Sequence, residues 1–281
     1  MKIARKLNES IKNIPISGEI HKIINNNTPI LTIGSCFALE VNNFLIKNKY
    51  NILNKEFGSS MIWYNSYTIL YEFQRLNGEF IQDNDDIWHF GNKWQDPYRR
   101  CVFGKTKDDL WRQINDINSQ MSSFIKTAKV IVITLGLTEI WFKPDGRAIC
   151  AHPGYPRGSG GGHDCYFKAT SYDDNLDNLK KILSVLYCLN NECMVILTVS
   201  PVPLGQTFRD VDHLIANTES KSILRAVAGE IVRHYKNVCY FHSYELAMNF
   251  TREKVFKADG RHVNPDFVSW IMGNFKSHFM I

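Results

Sequence analysis

Apolar residues follow two patterns along this chain. Short continuous apolar runs are typical of buried strands, and segments with apolar residues every three or four positions are typical of helices with one buried face. Five runs predict strands, at 30–33, 50–53, 130–135, 194–199 and 238–241. The main periodic segments predict helices at 109–126, 174–189, 218–235 and 265–279.

The order of these elements indicates the fold class. Buried strands that alternate with helices form parallel sheets covered by helices on both faces. We therefore predict an α/β protein with three α/β/α layers around a five-stranded, mainly parallel sheet. No internal repeat or low-complexity linker interrupts the alternation, so we expect one domain over residues 1–281, with 1–29 as a polar amino-terminal extension.

Two insertions break the alternation. Residues 58–104 are rich in aromatic side chains, which dominate protein cores by area, so a packed subdomain is the favoured interpretation. The alternative is a cap that stacks on a sugar or an acyl group. Residues 143–170 contain a glycine run that can hold neither helix nor strand. Long loops are usually functional or disordered, and we interpret this one as a mobile lid, with surface disorder as the alternative.

The distribution of charge and the absence of targeting signals limit the partners and the compartment that we expect. The net charge of +5 is not gathered into basic tracts, which argues against a nucleic-acid partner. The polar amino terminus lacks the apolar core of a signal peptide, and no apolar stretch approaches bilayer length. Seven scattered cysteines fit a reducing compartment. We therefore expect a cytoplasmic protein without a transmembrane segment.

The segment Gly34-Ser35-Cys36-Phe37-Ala38 joins the first predicted strand to a helical pattern. A strand that turns into a helix through glycine places the next side chains at the carboxyl edge of the sheet, where open α/β folds bind ligands. A cysteine at a helix amino terminus is favoured in its reactive thiolate form. The alternative is that Cys36 is a small buried residue under the first helix.

Other polar side chains could complete a site. Asp259 precedes His262 by three residues, and a carboxylate so placed can orient an imidazole that accepts a proton from a nucleophile. The alternative is a surface histidine beside a local turn. Thr138 and Glu139 follow the central strand: the threonine could donate a hydrogen bond to an oxyanion, and the glutamate would hold a loop. The alternative there is an ordinary strand exit.

A metal site is the weaker interpretation of four residues that flank the glycine run. Two cysteines and two histidines can bind zinc, but a spacing of one residue at both ends is unlike common zinc motifs. We therefore predict no metal and no cofactor, and either histidine could instead touch substrate. The residues are Cys150, His152, His163 and Cys165.

The segment 34–38 resembles the signature of the GSCFA-domain family. The resemblance continues through 134–139, 198–203, 220–225 and 240–245, and covers roughly residues 30–275. That family is similar to a branch of the SGNH/GDSL hydrolase superfamily, whose flavodoxin-like α/β/α enzymes are mostly esterases and acyltransferases. The resemblance therefore implies a hydrolase-like site on the predicted sheet.

The superfamily pattern also implies roles for individual residues. Alignment of its first block places Cys36 at the nucleophile position and Ser35 at the preceding aspartate, while Gly58 is a candidate for a backbone oxyanion donor. Thr138 stands where the superfamily has asparagine. The last block matches Asp259 and His262 without change. Because two of four blocks depart from the pattern, ordinary esterase activity does not follow directly.

The resemblance implies an acyl esterase or acyltransferase that acts on an acylated carbohydrate or related small molecule. Cys36, or Ser35, would attack the acyl carbon, His262 would act as base, and Asp259 would hold the imidazole. The alternatives are a catalytically altered carbohydrate-binding protein and an assembly protein in a polysaccharide-making complex. The acyl donor, the acceptor, the choice between hydrolysis and transfer, and the oligomeric state stay open.

Overall fold

A computed structural model describes residues 21–58, 61–155 and 164–281. Its centre is a sheet of four parallel strands. In spatial order they are β1 Ile30–Gly34, β5 Val130–Leu135, β8 Met194–Val199 and β9 Val238–Phe241. Four of the five predicted strands are thereby confirmed, and so is the α/β fold class.

The four helices predicted from apolar periodicity and the helix predicted after the first strand are present, together with three that were not predicted. In chain order they are α1 Cys36–Lys47, α2 Ser66–Gln74, α3 Lys107–Thr127, α4 Tyr172–Leu189, α5 His213–His234, α6 Ser243–Met248, α7 Arg252–Val255 and α8 Pro265–Phe279. Helix α5 begins five residues before the predicted start because the Asp212 side chain caps it by accepting a hydrogen bond from the backbone N–H of Leu214. In the described part of the chain, none of these helices is both long and apolar enough to span a bilayer.

The sheet is covered on both faces. On β1, Leu31 and Ile33 belong to the buried cluster that includes α3, α4 and α5, whereas Ile30 belongs to the cluster that includes α1 and α8. The same alternation holds on β8, where Val195 and Leu197 lie on one face and Ile196 on the other. Side chains of successive strand residues point to opposite faces. The α/β/α layering therefore follows directly from the buried apolar strands.

The predicted fifth strand at 50–53 is wrong. This segment meets β1 at a single bridge between Ile52 and Ile30. Further pairing is prevented by Asn54, whose side-chain oxygen accepts from Thr32 N at 3.2 Å and whose amide donates to Thr32 O at 2.7 Å. A side-chain amide thus takes the backbone groups of Thr32 that a neighbouring strand would need. The sheet ends at β1 with four strands.

The described part of the aromatic insertion is packed into the protein. It holds α2 and a small antiparallel sheet of β2 Trp88–Phe90, β3 Lys93–Gln95 and β4 Phe103–Gly104. Tyr71 stacks on Phe80 with ring centroids 4.2 Å apart, and the ring of Tyr98 meets that of Phe80 edge-on at 4.9 Å. A second small sheet pairs β6 Glu139–Phe142 with β7 Tyr166–Ala169. Packing, rather than ligand stacking, accounts for most of the aromatic content.

Four buried charged residues connect α2 to the rest of the insertion, and we call them the ion cluster: Glu72, Arg75, Asp96 and Arg99. Arg99 donates two hydrogen bonds to the Glu72 carboxylate, at 2.9 and 2.7 Å, and Arg75 donates a third at 3.0 Å. Burial alone would raise the pKa of Glu72, but the charges of the two arginines outweigh it and lower that pKa. Burial raises the pKa of Asp96 in spite of the same arginines, so Glu72 is the carboxylate that mainly balances the two positive charges.

Candidate functional site

A cavity of ≈ 220 Å³ lies at the carboxyl edge of the sheet. Ser35 and Cys36 line it after β1, Gly136 after β5, and Ser200 after β8. This is the edge where open α/β folds bind ligands. An aromatic wall, formed by the rings of Tyr64, Trp141, His152, Tyr155 and Phe208, closes part of it.

The turn that carries Cys36 depends on Gly34. Its φ is +133°, and a Cβ at this position would lie 2.2 Å from the carbonyl oxygen of Thr134 on β5. Only glycine allows β1 to run so close to its neighbour before the chain turns. Ser35 then has extended backbone geometry as the residue before the helix, and Cys36 is the first residue of α1. The thiol therefore lies at the positive end of the helix.

Cys36 is half-buried, and its Sγ lies 3.9 Å from the hydroxyl of Tyr64. That hydroxyl is 3.5 Å from the hydroxyl of Tyr155, which accepts a hydrogen bond from Arg100 at 2.7 Å. Burial raises the pKa of Tyr64, and the negative charge of a Cys36 thiolate raises it further. Tyr64 is therefore a neutral phenol that can donate a hydrogen bond to the sulfur.

Ser35, the other candidate nucleophile, lies in the same cavity lining. Its side chain is buried, and its Oγ has no hydrogen-bond partner among the described residues. Buried polar atoms are rarely left without a partner, so this hydroxyl is available to a bound ligand. The structure thus brings both residues of the predicted pair to one cavity.

Lys221 is a feature of the site that sequence reasoning missed. It lies on α5, its side chain is buried, and its Nζ donates a hydrogen bond to the carbonyl oxygen of Gly136 at 2.7 Å. It forms no ion pair within the described residues. Burial lowers its pKa to about 7, the charge of Arg261 acts in the same direction, and Cys36 opposes both.

A signal for Lys221 was present in the sequence. It shares the apolar stripe of α5 with Leu224, Ala228 and Ile231, all of which are buried. Lysine is almost never fully buried without a partner, because burying its charge costs free energy. A lysine in such a stripe therefore indicates a functional position. The spacing of three and seven residues could have singled it out.

The predicted Asp259 and His262 pair forms, because His262 Nδ1 lies 2.5 Å from a carboxylate oxygen of Asp259. This hydrogen bond, and those from the backbone N–H groups of Arg261 and His262, hold the pKa of Asp259 below its ordinary value. Both side chains are exposed, and neither lines the cavity. Arg261, between them in the chain, does line it.

The predicted oxyanion residues lie at different places. Gly58 is exposed and outside the cavity lining. Thr138 is buried, also outside that lining, and its backbone N–H donates to Ser220 Oγ at 3.0 Å. Glu139 does line the cavity, where its carboxylate accepts a hydrogen bond from Thr207 at 2.9 Å. Of the three residues, only Glu139 faces the cavity.

The described residues among the four considered for zinc do not share one environment. The Cys150 thiol donates to the carbonyl oxygen of Ile62 at 3.0 Å, and burial raises its pKa to about 12, which disfavours a thiolate ligand. His152 lines the cavity, whereas His163 lies outside the described residues, as does the centre of the predicted lid. Over residues 21–58, 61–155 and 164–281, no three His, Cys, Asp or Glu side chains are grouped to hold a metal.

The solved structures that are similar to this chain share little sequence with it, whereas one family model matches most of its length. A solved protein from Streptococcus pneumonia, provisionally described as a platelet activating factor, is 12% identical, with a TM-score of 0.46 over 89% of this chain and 83% of that chain. A carbohydrate esterase family 3 protein from Talaromyces cellulolyticus is 11% identical, with a TM-score of 0.37 over 88% and 94%. No curated protein matches. The GSCFA family model matches residues 29–275, and the chain therefore belongs to the GSCFA family.

Proposed function

We propose that this protein is an acyl esterase or acyltransferase in which Cys36 attacks the carbonyl carbon of an ester or thioester. The observation that carries the proposal is the position of the thiol: it is the first residue of α1 and it lines the cavity at the carboxyl edge of the sheet. Backbone N–H groups at a helix start stabilise negative charge on a sulfur and on the oxyanion that forms beside it.

The reaction divides into two transfers. The sulfur of Cys36 forms a bond to the acyl carbon, and the alcohol or thiol leaves with a proton. Water or a sugar hydroxyl then attacks the acyl-enzyme, gives up its proton, and releases the thiol. We assign proton transfer to His262, which Asp259 orients through Nδ1. This assignment requires the imidazole to turn toward the cavity that Arg261 already lines.

When it is protonated, Lys221 supplies a positive charge that acts on the nucleophile. An ammonium at Lys221 and a thiolate at Cys36 attract each other, and the hydrogen bond to Gly136 fixes the ammonium beside a cavity-lining residue. The Tyr64 hydroxyl accepts a hydrogen bond from the neutral thiol at 3.9 Å, and the same hydroxyl can donate to the sulfur once it is a thiolate. These groups are in place before substrate binds, so they stabilise charge without reorganisation.

A second candidate is a carbohydrate-binding protein that has the fold without the chemistry. The exposure of His262 and its position outside the cavity lining favour this candidate. The aromatic wall would then contact the faces of a bound sugar, as aromatic rings do at many binding surfaces.

Acyl-enzyme trapping tests the proposal. The purified protein is mixed with 4-nitrophenyl acetate, quenched in acid, and analysed by peptide mass spectrometry while nitrophenol release is followed. We expect release together with an acetyl group on the peptide that contains Cys36. His262→Ala should slow the breakdown of this adduct. Release without an adduct on that peptide, or no release at all, would reject Cys36 as nucleophile.

Replacing Lys221 with methionine should increase stability and decrease activity. Because the pKa of Lys221 is lowered to about 7, the unfolded chain binds more protons than the folded one between pH 7 and the ordinary value of 10.5. Lys221 therefore costs the folded state free energy at pH 7, and this cost declines as the pH rises to 10.5. We expect Lys221→Met to raise the free energy of unfolding at pH 7 by roughly 1–3 kcal/mol, with a smaller gain at pH 10.

Activity provides the second readout for Lys221. We expect kcat/KM for the ester to fall about 10- to 100-fold at pH 7, since a charge that stabilises the reacting sulfur is lost. The matched control is Lys180→Met on α4, an exposed lysine, which should leave stability within about 0.5 kcal/mol at both pH values. Loss of stability in Lys221→Met at pH 7 would show that the lysine serves the fold instead.

A further inference from the structure

Two formally charged side chains line the cavity, those of Glu139 and Arg261, and only Glu139 has partners that offset its charge. Glu139 accepts hydrogen bonds from Thr207 Oγ1 at 2.9 Å and from Phe208 N at 3.4 Å, and Arg209 lies 4.0 Å from it. Arg261 is the other such residue in the lining, and it forms no ion pair within the described part of the chain. The cavity therefore holds a positive charge that no carboxylate on the described residues neutralises.

The guanidinium of Arg261 is held in place without using its hydrogen bonds. Its Nε is buried and has no hydrogen-bond partner among the described residues. The group packs against Gly205: a Cβ on that glycine would lie 3.2 Å from Cζ and 3.4 Å from each terminal nitrogen. Arginine carries five N–H donors in a planar fork. A guanidinium positioned by packing alone keeps these donors available for a ligand.

A second cation acts on the same cavity. Lys221 donates to the carbonyl oxygen of Gly136, which lines the cavity together with Arg261. The positive charge of Arg261 lowers the pKa of Lys221, so the two cations repel each other. An anion bound at Arg261 would reduce this repulsion as well as satisfy the free donors. Both effects favour a ligand with negative charge over a neutral one of the same size.

We propose that Arg261 binds a negatively charged group of the substrate, a carboxylate or a phosphate, beside the acyl carbon that Cys36 attacks. Arg261 and Cys36 line one cavity, so a single small molecule can reach both. Guanidinium groups match both anions with paired, charge-assisted hydrogen bonds. The apolar part of the molecule would contact the aromatic wall. The acyl group in this inference rests on the proposed function, whereas the anion does not.

A matched pair of esters tests the inference in phosphate-free buffer. 4-Nitrophenyl butyrate is neutral, and the mono-4-nitrophenyl ester of succinic acid has similar length with a terminal carboxylate. We expect kcat/KM of the wild type to favour the succinyl ester about 10- to 100-fold after correction for spontaneous hydrolysis. The readout is the ratio of kcat/KM for the succinyl ester to kcat/KM for the butyrate ester. Arg261→Gln should bring it to about 1, and Arg261→Lys should retain part of it.

Two further variants separate the effect of the position of the Arg261 guanidinium from the effect of positive charge near the cavity. Gly205→Ala keeps the charge but inserts a methyl group where the guanidinium packs, so the ratio should fall. Arg209→Gln removes an arginine that pairs with Glu219 at 2.9 Å and lies 4.0 Å from Glu139, and the ratio should fall much less than in Arg261→Gln. A ratio that falls equally in Arg209→Gln and Arg261→Gln would indicate a general loss of positive charge and would overturn the assignment to Arg261.

Binding without chemistry distinguishes the two anions and separates this inference from the proposed function. Cys36→Ala protein is titrated calorimetrically with sodium succinate and with sodium phosphate. We expect one of them to bind at least about tenfold more tightly than to protein that also carries Arg261→Gln. This result would support the anion site even if the wild type hydrolyses neither ester. Equal binding to both proteins, or binding of neither anion, together with an ester ratio near 1, would overturn the inference.

Discussion

Cys36→Ala should lower kcat/KM for 4-nitrophenyl acetate by about 10³-fold or more, because no other described side chain at the carboxyl edge has the same combination of helix position and cavity access. Alanine fits the first turn of a helix well, and the thiol is half-buried, so folding should be retained. Initial rates at several substrate concentrations, corrected for spontaneous hydrolysis, measure the change, and circular dichroism confirms the fold.

Two variants control for this result. Cys188→Ala removes an exposed thiol at the end of α4 and should keep the wild-type rate. Ser35→Ala tests the neighbouring hydroxyl, which lines the same cavity. If Ser35→Ala is inactive while Cys36→Ala keeps more than a tenth of the activity, the nucleophile is one residue earlier than proposed.

Glu72→Gln should lower the free energy of unfolding by about 3–5 kcal/mol, because it leaves a net positive charge in the buried ion cluster. The Glu72 carboxylate accepts hydrogen bonds from Arg75, Arg99 and the indole N–H of Trp63, the last at 2.9 Å. A neutral amide can replace the shape but not the charge. Urea unfolding, followed by tryptophan fluorescence and by circular dichroism, measures the loss, with coincident transitions as the check for two-state behaviour.

The same chemical change at the surface is the matched control. Glu192 pairs with Lys129 at 2.7 Å, but both side chains are more than half exposed. Glu192→Gln should therefore change stability much less than Glu72→Gln does. If Glu72→Gln and Glu192→Gln have equal effects, the ion cluster does not stabilise the insertion as its burial indicates. Because Tyr64 and Asn65 reach the cavity just before α2, a destabilised insertion should also weaken substrate binding.

The sequence was most informative where one short segment decides the structure. Four sheet strands and the bounds of α3, α4 and α8 to within two residues follow from apolar periodicity, and the Asp259 and His262 pair follows from a separation of three residues. The segment 50–53 shows the limit of this reasoning. Its apolar residues suit a strand, but the side chain of Asn54 takes the backbone groups of Thr32, which lies 22 residues away in the chain. No local sequence pattern predicts such a contact.

For the site, the sequence by itself determined that Ser35 and Cys36 follow a buried strand at the carboxyl edge, because strand, glycine turn and helix are adjacent in the chain. Only the tertiary structure decided that Lys221 and Arg261 act on the same cavity while Gly58 and Thr138 do not line it. Whether His262 serves Cys36 stays a prediction. The physical reason is that a cavity is formed by segments far apart in sequence, and their relative positions depend on how the helices pack on the sheet.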